Sequence, residues 1–570
     1  MKVLIAISLV ALIVLLIQNK YRVSLLFASL ASIYFVLDLV SFEAMVSGFV
    51  NNSLLVLVLI VIASIALEKT ILMEFFSKMI ISKSYQKTYL KLGAIIPIFS
   101  AFLNNTAVVA SLMGVIKNNK HHYPSKLLIP LSFLSILGGT MTLVGTAPNL
   151  LVNSFVVENG HESLKIFDFF YVGIIIVFFG VIALYFSKNL LPENKTSIED
   201  NEEYLLELKV LPTSTLISKT IKDNGLRHLE SLFLVEIIRG SKKISPVGPD
   251  ETIEAEDRLV FSGDIKCLDL LKRFDGLVLT EDKDIKKTNL VDVVISPSSS
   301  LIGKKVKESN FRSKYDSAIV SFKRGSENIL KIGEETIQAG DRMILAVGKE
   351  FKYRENIAKN FYILSDIEKE SKYDLKSSIF IVLGFMSVIG FSAMGYISLF
   401  KALVIYLTFL LLFRVLSIAE IKRRFPYEIY IIIGSSLAIS KVLVSSGLAN
   451  DLAMVITSTL GSFGVYGSFI GIYLVTMLLT EFMSNNAAAA IVFPIAYATA
   501  LALDASIYPF VFAVAYGASA SFLIPYGYQT NLMVSSVGGY KTTDFIKTGA
   551  ILSIVYSLVV IIFVPIFFKF

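Results

Sequence analysis

The chain is 570 residues long, 54% apolar and 17% charged, with a mean hydropathy of +0.69. Soluble proteins of this length are roughly a quarter charged, so a purely water-soluble globule is excluded and most of the chain is material for a lipid bilayer. The net charge of +7 is what basic membrane loops produce and gives no reason to invoke nucleic acid; the single cysteine, Cys267, rules out an internal disulfide framework.

In chain order, apolar runs occupy 1–18, 23–40, 53–67, 92–116, 127–157 and 166–187. A polar stretch from about 191 to 373 follows, and apolar runs resume at 378–413, 427–447, 464–503, 507–537 and 549–569. Several exceed the roughly 20 residues that one helical crossing needs, so some are expected to be broken helices or hairpins. The first run lacks an A-x-A cleavage pattern and feeds directly into a second span, which predicts a retained helix rather than a signal peptide. The segment "LEKTILMEFFSKMIISKS" (Leu67 to Ser84) is amphipathic and basic and predicts an interfacial helix. Without tryptophan, tyrosine and phenylalanine must supply any interfacial belt.

Basic residues set the expected orientation. Lys20 and Arg22, the series Lys69 to Lys91, Lys117 to Lys126, Arg414 with Lys422 to Arg424, and Lys541 with Lys547 are expected to face the cytoplasm. The net acidic loop at 158–168 is expected outside. Both chain ends then lie outside and the central polar block is cytoplasmic, in a multi-pass protein of the cell membrane. The expected division is a first membrane half over 1–190, soluble domains over 205–275 and 288–350, and a second membrane half over 374–570.

The two membrane halves resemble each other where they are least apolar. "LNNTAVVA" from Leu103 matches "MSNNAAAA" from Met483 at an offset of 380, and "VGTAPNLLVNS" from Val144 matches "YGYQTNLMVSS" from Tyr526 at 382. With opposite entry sides, these make an inverted repeat, whose substrate site is expected near the midplane at broken helices. The soluble block is duplicated too. "STLISKTIKDNGLR" from Ser214 pairs with "SSLIGKKVKESNFR" from Ser299, and "ETIEAEDRLVFSG" from Glu251 with "ETIQAGDRMILAVG" from Glu335. Each copy predicts short strands around one helical piece, with Asp257-Arg258 or Asp341-Arg342 opening a terminal strand. No G-x-G-x-x-G fingerprint is present, so NAD has no motif behind it.

Polar side chains inside these runs need partners, because each unpaired amide in hydrocarbon costs on the order of several kcal/mol. Asn104, Asn105 and Thr106, like Ser484, Asn485 and Asn486, read as tips of re-entrant hairpins whose second arms start at the motif. A helix beginning at the midplane presents free N–H groups and a positive dipole end to an anion. Carbonyls ending the incoming arm, with asparagine oxygens, are hard ligands for a small cation. "GTAPN" (Gly145 to Asn149) and "GYQTN" (Gly527 to Asn531) break the next runs and offer further carbonyls. One tip facing one break in each half would make two related cation sites flanking a shared anion pocket. A lone asparagine is as readily a hydrogen-bond bridge between helices; four motifs in two matched pairs favour a site.

On these motifs the chain resembles the divalent-anion:sodium symporter family of the ion-transporter superfamily, over both membrane halves. The resemblance implies a polytopic α-helical fold with an inverted repeat, two re-entrant hairpins and broken helices, working as an elevator and as a homodimer in the lipid bilayer. It implies Na+ as coupling ion and a small inorganic or organic anion as substrate. Asn104, Asn105 and Thr106 with Gly145 and Thr146 would form one sodium and half-substrate site. Ser484, Asn485 and Asn486 with Gly527 and Tyr528 would form the other. The Na+ ligands implied are Asn105, Gly145, Asn149, Asn485, Gly527 and Asn531, with Gln529 added to the substrate set. Asn104 stands where the family has Ser, Asn486 where it has Thr, and Tyr528-Gln529 where dicarboxylate carriers show small Thr-Pro. The larger pair shrinks the pocket and suits a compact tetrahedral anion such as sulfate better than succinate. The soluble block resembles a tandem pair of TrkA-C (RCK C-terminal) domains, an α+β tandem-repeat insert, which implies regulation by a nucleotide or cyclic dinucleotide.

Other readings stay open at this level. Glu481, whose counterpart is Ala101, is the proton site if the chain is a Na+/H+ antiporter; it could instead pair with Lys441 or lie at a cavity mouth. A dicarboxylate carrier, an RCK-gated potassium channel and a sensor without transport are further alternatives. The channel lacks a T-V-G-Y-G filter. His121-His122 sits in a basic loop without ligand-spaced partners for a metal. No nucleophile–base pair, nucleotide loop or metal set suggests an enzyme.

Overall fold

The computed structural model describes residues 1–18, 21–71, 79–194, 205–226, 232–240, 242–244, 247–263, 273–279, 290–297, 299–329, 332–348, 350–351, 354, 356–364, 373–460 and 463–570. Cys267 and the middle of the proposed interfacial helix, 72–78, lie outside these residues.

The chain is mostly helical. Before the soluble block run α1 (Lys2–Gln18), α2 (Val23–Val36), α3 (Phe42–Phe49), α4 (Asn52–Glu68), α5 (Tyr85–Ser100), α6 (Asn105–Lys117), α7 (Leu128–Gly139), α8 (Ala147–Glu158) and α9 (Phe170–Ser187). Among its described residues the block contains two short α-helices, α10 (Phe311–Tyr315) and α11 (Ile357–Asn360). After it come α12 (Leu375–Ala393), α13 (Leu399–Leu412), α14 (Ile418–Arg424), α15 (Tyr427–Ser445) and α16 (Leu448–Leu460). The chain closes with α17 (Gly464–Phe482), α18 (Asn485–Ala502), α19 (Ile507–Ser519), α20 (Gln529–Gly538) and α21 (Thr542–Phe567). Among the described residues seven helical stretches are long and apolar enough to cross a membrane, which makes this a multi-pass membrane protein. Exposed Phe178, Phe380, Leu412, Leu478 and Ile554 place large apolar groups on the outside of the helical body, as lipid requires.

The sequence runs that were too long for one crossing resolve into separate helices. The run 92–116 is divided between α5 and α6, and 464–503 between α17 and α18. The two pairs differ in length. α6 has 13 residues, about 20 Å of helix, whereas α17 and α18 have 19 and 18, about 27–28 Å each, enough to span a bilayer core of roughly 30 Å that thins slightly around them. The run 127–157 is interrupted over 140–146, and 507–537 over 520–528. Helix packing is crossed between the halves: α6 lies along α20, and α18 lies along α8.

Among its described residues the soluble block holds two five-stranded antiparallel sheets. The first is ordered β3-β2-β4-β1-β5 and uses β1 (Leu205–Val210), β2 (Leu232–Arg239), β3 (Lys242–Ile244), β4 (Arg258–Gly263) and β5 (Leu277–Leu279). The second is ordered β10-β6-β9-β7-β8 and uses β6 (Leu290–Ile295), β7 (Ser317–Arg324), β8 (Glu327–Asn328), β9 (Arg342–Val347) and β10 (Phe361–Ile363). Read from its other edge, the second order is the first one, strand for strand. The register also shifts at matching points, between Leu234 and Glu236 and between Ile319 and Ser321.

The quoted Asp-Arg pairs explain why both copies fold alike. Arg239 reaches both oxygens of Asp257 at 2.9 Å and the Thr252 carbonyl at 2.7 Å; Arg324 reaches Asp341 at 2.7 and 2.9 Å and the Thr336 carbonyl at 2.8 Å. Each aspartate therefore ties the end of one strand to the turn before the next, and its partner is not the arginine beside it in sequence. In the second copy that turn uses Gly340 at φ +80°; in the first, Glu256 holds φ +68°. Strands β2 and β4 of the first unit pack against β7 of the second.

Candidate functional site

All four polar motifs are helix starts. Asn104 caps α6 and its side chain accepts from the Thr106 N–H at 2.9 Å; Ser484 caps α18 and accepts from the Ala487 N–H at 3.4 Å. Thr146 and Tyr528 are the extended N-cap residues of α8 and α20. Each start leaves backbone N–H groups without helical partners and carries the positive end of a helix dipole.

Three of these starts are joined by side-chain hydrogen bonds. Ser100 donates to Asn105 Oδ1 at 2.6 Å, and Asn105 Nδ2 donates to the Tyr528 hydroxyl at 2.6 Å. The same hydroxyl lies 3.3 Å from Thr146 Oγ1, and Thr106 Oγ1 donates to Gln529 Oε1 at 3.3 Å. Thus Asn105, Thr106, Thr146, Tyr528 and Gln529, spread over more than 400 positions of the chain, meet in one place. The fourth start heads α18, which packs along α8. There Asn485 Nδ2 and Asn486 Oδ1 are buried without a protein hydrogen-bond partner. Asn104 and Gln529 are exposed; Thr106 and Tyr528 are half-buried.

The interruptions thread tightly past the chain that leads into the tips. A Cβ on Gly145 would lie 2.5 Å from the Gly139 carbonyl oxygen and 3.0 Å from that of Ala101. A Cβ on Gly527 would lie 2.9 Å from the Thr480 oxygen, 3.1 Å from the Glu481 oxygen and in collision with Ser521 Oγ. Ala101 and Glu481 are corresponding positions, so the same contact is made in both halves. Thr142 Oγ1 donates to the Ala101 carbonyl, and Thr480 Oγ1 to the Ala518 carbonyl at 2.7 Å. Only glycine allows this approach of two backbones.

Asn149 and Asn531 fall in the first turn of α8 and α20, after the interruptions and not inside them. Both are fully buried, and each donates Nδ2 to a carbonyl of its own interruption, Thr142 and Ser521, at 2.9 Å. The remaining oxygens differ. Asn149 Oδ1 has no protein partner, whereas Asn531 Oδ1 accepts from Ser132 at 2.7 Å.

Glu481 differs most from its sequence reading. It is 5% exposed, and its carboxylate accepts from three successive backbone N–H groups, Phe522 at 2.9 Å, Leu523 at 3.0 Å and Ile524 at 3.2 Å, with Ser521 Oγ at 3.5 Å. Such a row of N–H groups is an anion-binding concavity, and here the protein's own carboxylate fills it. Neither a pairing with Lys441 nor a place at a cavity mouth holds: Lys441 pairs with Glu158 at 2.5 Å, and Glu481 is enclosed. His122 is likewise engaged locally, its Nε2 at 2.7 Å from the Ser82 carbonyl oxygen.

Sequence reasoning passed over Ser100, Ser132, Thr142 and Thr480. Single hydroxyls in apolar runs give no signal of their own, since most satisfy a carbonyl one turn back. Their role shows only once the interruption and the tip lie side by side.

Comparison with known proteins agrees with a transport protein. The family model described as "Citrate transporter" matches residues 3–517. A Chlamydomonas reinhardtii protein named as a candidate sulfur deprivation response regulator is 29% identical over 92% of this chain and 94% of its own length. An uncharacterized transporter of Synechocystis is 27% identical over 93% of this chain and 91% of its own. Sodium/sulfate cotransporter 1 of Chlamydomonas reinhardtii is 28% identical over 61% of this chain, which covers 41% of that larger protein. With a single family model running through both helical halves and the block between them, the chain belongs to the citrate transporter family.

Proposed function

We propose that the protein is a secondary transporter that carries a divalent anion together with Na+, with sulfate favoured over a dicarboxylate. The observation that carries this is the set of three helix starts hydrogen-bonded together, which directs positive dipole ends and free N–H groups at one place, with the fourth start heading a helix packed along α8. Beside it, the carbonyls of Ala101, Thr480 and Glu481, packed against Gly145 and Gly527, are the hard oxygens a sodium ion takes. Asn105, Asn149 and Asn485 add amide oxygens, Asn485 Nδ2 is an unpaired donor that an anion would satisfy, and Ser484 and Asn486 complete that tip. In this reading the halves form an inverted repeat, the tips are re-entrant, and the motif-bearing helices move as an elevator in a homodimer.

Sulfate is favoured because the Tyr528 side chain stands between Asn105 and Thr146, where a second carboxylate would need room. The names of the Chlamydomonas sodium/sulfate cotransporters support the same substrate; the description of the family model points to a larger carboxylate, which makes substrate size the decisive measurement. The antiporter reading loses its support, since Glu481 spends its oxygens on the backbone at 522–524. The paired sheets, with one strand order, support a tandem TrkA-C pair in the cytoplasm that answers to a nucleotide or cyclic dinucleotide.

The test is uptake of labelled sulfate, phosphate, succinate and citrate into proteoliposomes, with and without a Na+ gradient. Sulfate uptake driven by inward Na+ and little reduced by excess succinate is the expected result. Uptake indifferent to Na+, or citrate and succinate displacing sulfate, overturns it.

A further inference from the structure

The second soluble unit is fastened to the helical body at the far ends of the two helices whose starts form the candidate site. α6 begins at Asn105 and ends at Lys117; α20 begins at Gln529 and ends at Gly538. At the near ends Thr106 Oγ1 donates to Gln529 Oε1 at 3.3 Å, and Asn105 Nδ2 to Tyr528 at 2.6 Å. At their far ends both helices meet the unit built on β6–β10, and the last residue of α20 also receives Asn194 Nδ2 at 2.9 Å.

Lys117 is buried and forms an ion pair with Asp292 of β6, whose carboxylate also receives Arg342 of β9, Nη2 at 2.8 Å and Nε at 3.1 Å. One step further on, Asn118 Nδ2 donates to the Leu364 carbonyl at 3.0 Å, and Leu364 O lies 3.3 Å from where a Cβ on Gly114 would stand. On α20, Ser536 Oγ accepts from the Gly325 N–H at 3.0 Å. The unit also touches α20 nearer its start: Gly340, the φ +80° turn of the second copy, sits so close to Leu532 that a Cβ would meet its carbonyl oxygen at 2.8 Å. Buried charge of this kind is costly to separate, because removing one partner strands the others in low dielectric. The unit therefore holds α6 and α20 as a pair, and helices of these lengths, about 15–20 Å, carry a displacement from one end to the other.

We propose that the second α+β unit is the part of the central block that acts on the site, setting the spacing of Thr106 and Gln529 by gripping the opposite ends of their helices. The first unit then acts through the second, by its β2 and β4 packed on β7. This inference rests on the reading of that cluster as the transport site.

A cross-linking measurement tests the grip without needing transport. In a Cys267→Ser background, the only native cysteine being removed, Thr106→Cys with Gln529→Cys is joined by a short bifunctional thiol reagent in membranes. Adding Lys117→Met, which leaves Asp292 paired with Arg342 inside its own unit, should slow cross-linking several-fold, and Ser536→Ala should slow it further. In chains without the engineered cysteines, Lys117→Met should shift the half-saturating anion concentration by about fivefold or more, the range of a typical coupling between sites. Cross-linking rates unchanged by both substitutions overturn the proposal, as does an unchanged half-saturation. A wild-type chain that moves no anion sinks the transport reading instead, and the cross-linking rates still decide the grip.

Discussion

Asn105 and Asn485 occupy the same step of matching motifs but live in different surroundings. Both ends of the Asn105 amide are used, by Ser100 and by Tyr528, whereas Asn485 Nδ2 has no protein partner. Replacing either with alanine is expected to abolish Na+-driven uptake. Their stabilities should part: Asn105→Ala loses two hydrogen bonds at about 1 kcal/mol each, while Asn485→Ala costs little or nothing. Thermal unfolding in detergent separates the two, and wild-type uptake in either variant would refute the assignment. Glu481 makes the converse case. Glutamine in its place keeps one acceptor but turns an N–H group toward backbone donors at 522–524, so Glu481→Gln should cost about 1–3 kcal/mol while still moving anion under a Na+ gradient. Loss of uptake at unchanged stability would instead return Glu481 to a coupling role.

At the level of elements, each interruption is held in place by a glycine pressed against the chain before a tip. Alanine at Gly145 must displace the Gly139 and Ala101 carbonyls, and alanine at Gly527 must displace Ser521, Thr480 and Glu481. Overpacking of this kind typically costs about 1–3 kcal/mol. Both Gly145→Ala and Gly527→Ala are expected to lower the unfolding temperature and reduce Na+ affinity together, because the same carbonyls pack the interruption and face the proposed cation. A shift in stability with the Na+ dependence of uptake unmoved would separate packing from binding. The shared strand order of the two soluble units has a similar origin, since Arg239–Asp257 and Arg324–Asp341 staple the same strand end to the same turn.

Across the whole molecule, the soluble block cannot be removed as one piece without consequence. Cutting out 206–350 also removes Asp292 and Arg342 and deprives Lys117 of its ion pair. Replacing 205–279 alone by a flexible linker should preserve uptake and abolish any response to cytosolic nucleotides. Asp292→Asn should destabilise the docked unit by about 3–5 kcal/mol, the cost of breaking a buried ion pair, read as earlier unfolding or proteolysis of that unit. The pH dependence follows from its environment. Burial raises the Asp292 carboxyl, but Arg342 and Lys117 outweigh burial and hold it below the usual carboxylate range. A carboxylate depressed in the folded state stabilises above its unfolded pKa, about 3.9, and loses that contribution as pH falls through the folded value. Wild type and Asp292→Asn should therefore differ by a constant amount between pH 5 and 8 on this account and converge only in stronger acid; a difference that vanishes near about pH 6 would contradict it.

Sequence alone determined that this is a multi-pass membrane protein with a polar insert. It also located four motifs in matched pairs and two copies inside the insert, because hydropathy and duplication are written along the chain. It could not say which motif meets which. Tip and interruption face each other within a half through the Ala101 and Glu481 carbonyls, while the side chains of Asn105 and Thr106 reach across to Tyr528 and Gln529 in the other half. Nor could it tell that Glu481 is spent on three backbone N–H groups, or that Asn149 and Asn531 lie inside helices. Lys117 looked like one more basic residue of a loop, and only the tertiary structure set it against Asp292. The physical reason is common to all of these: a buried polar group must find its partner in space, and that partner stands anywhere from five to several hundred residues away in the chain.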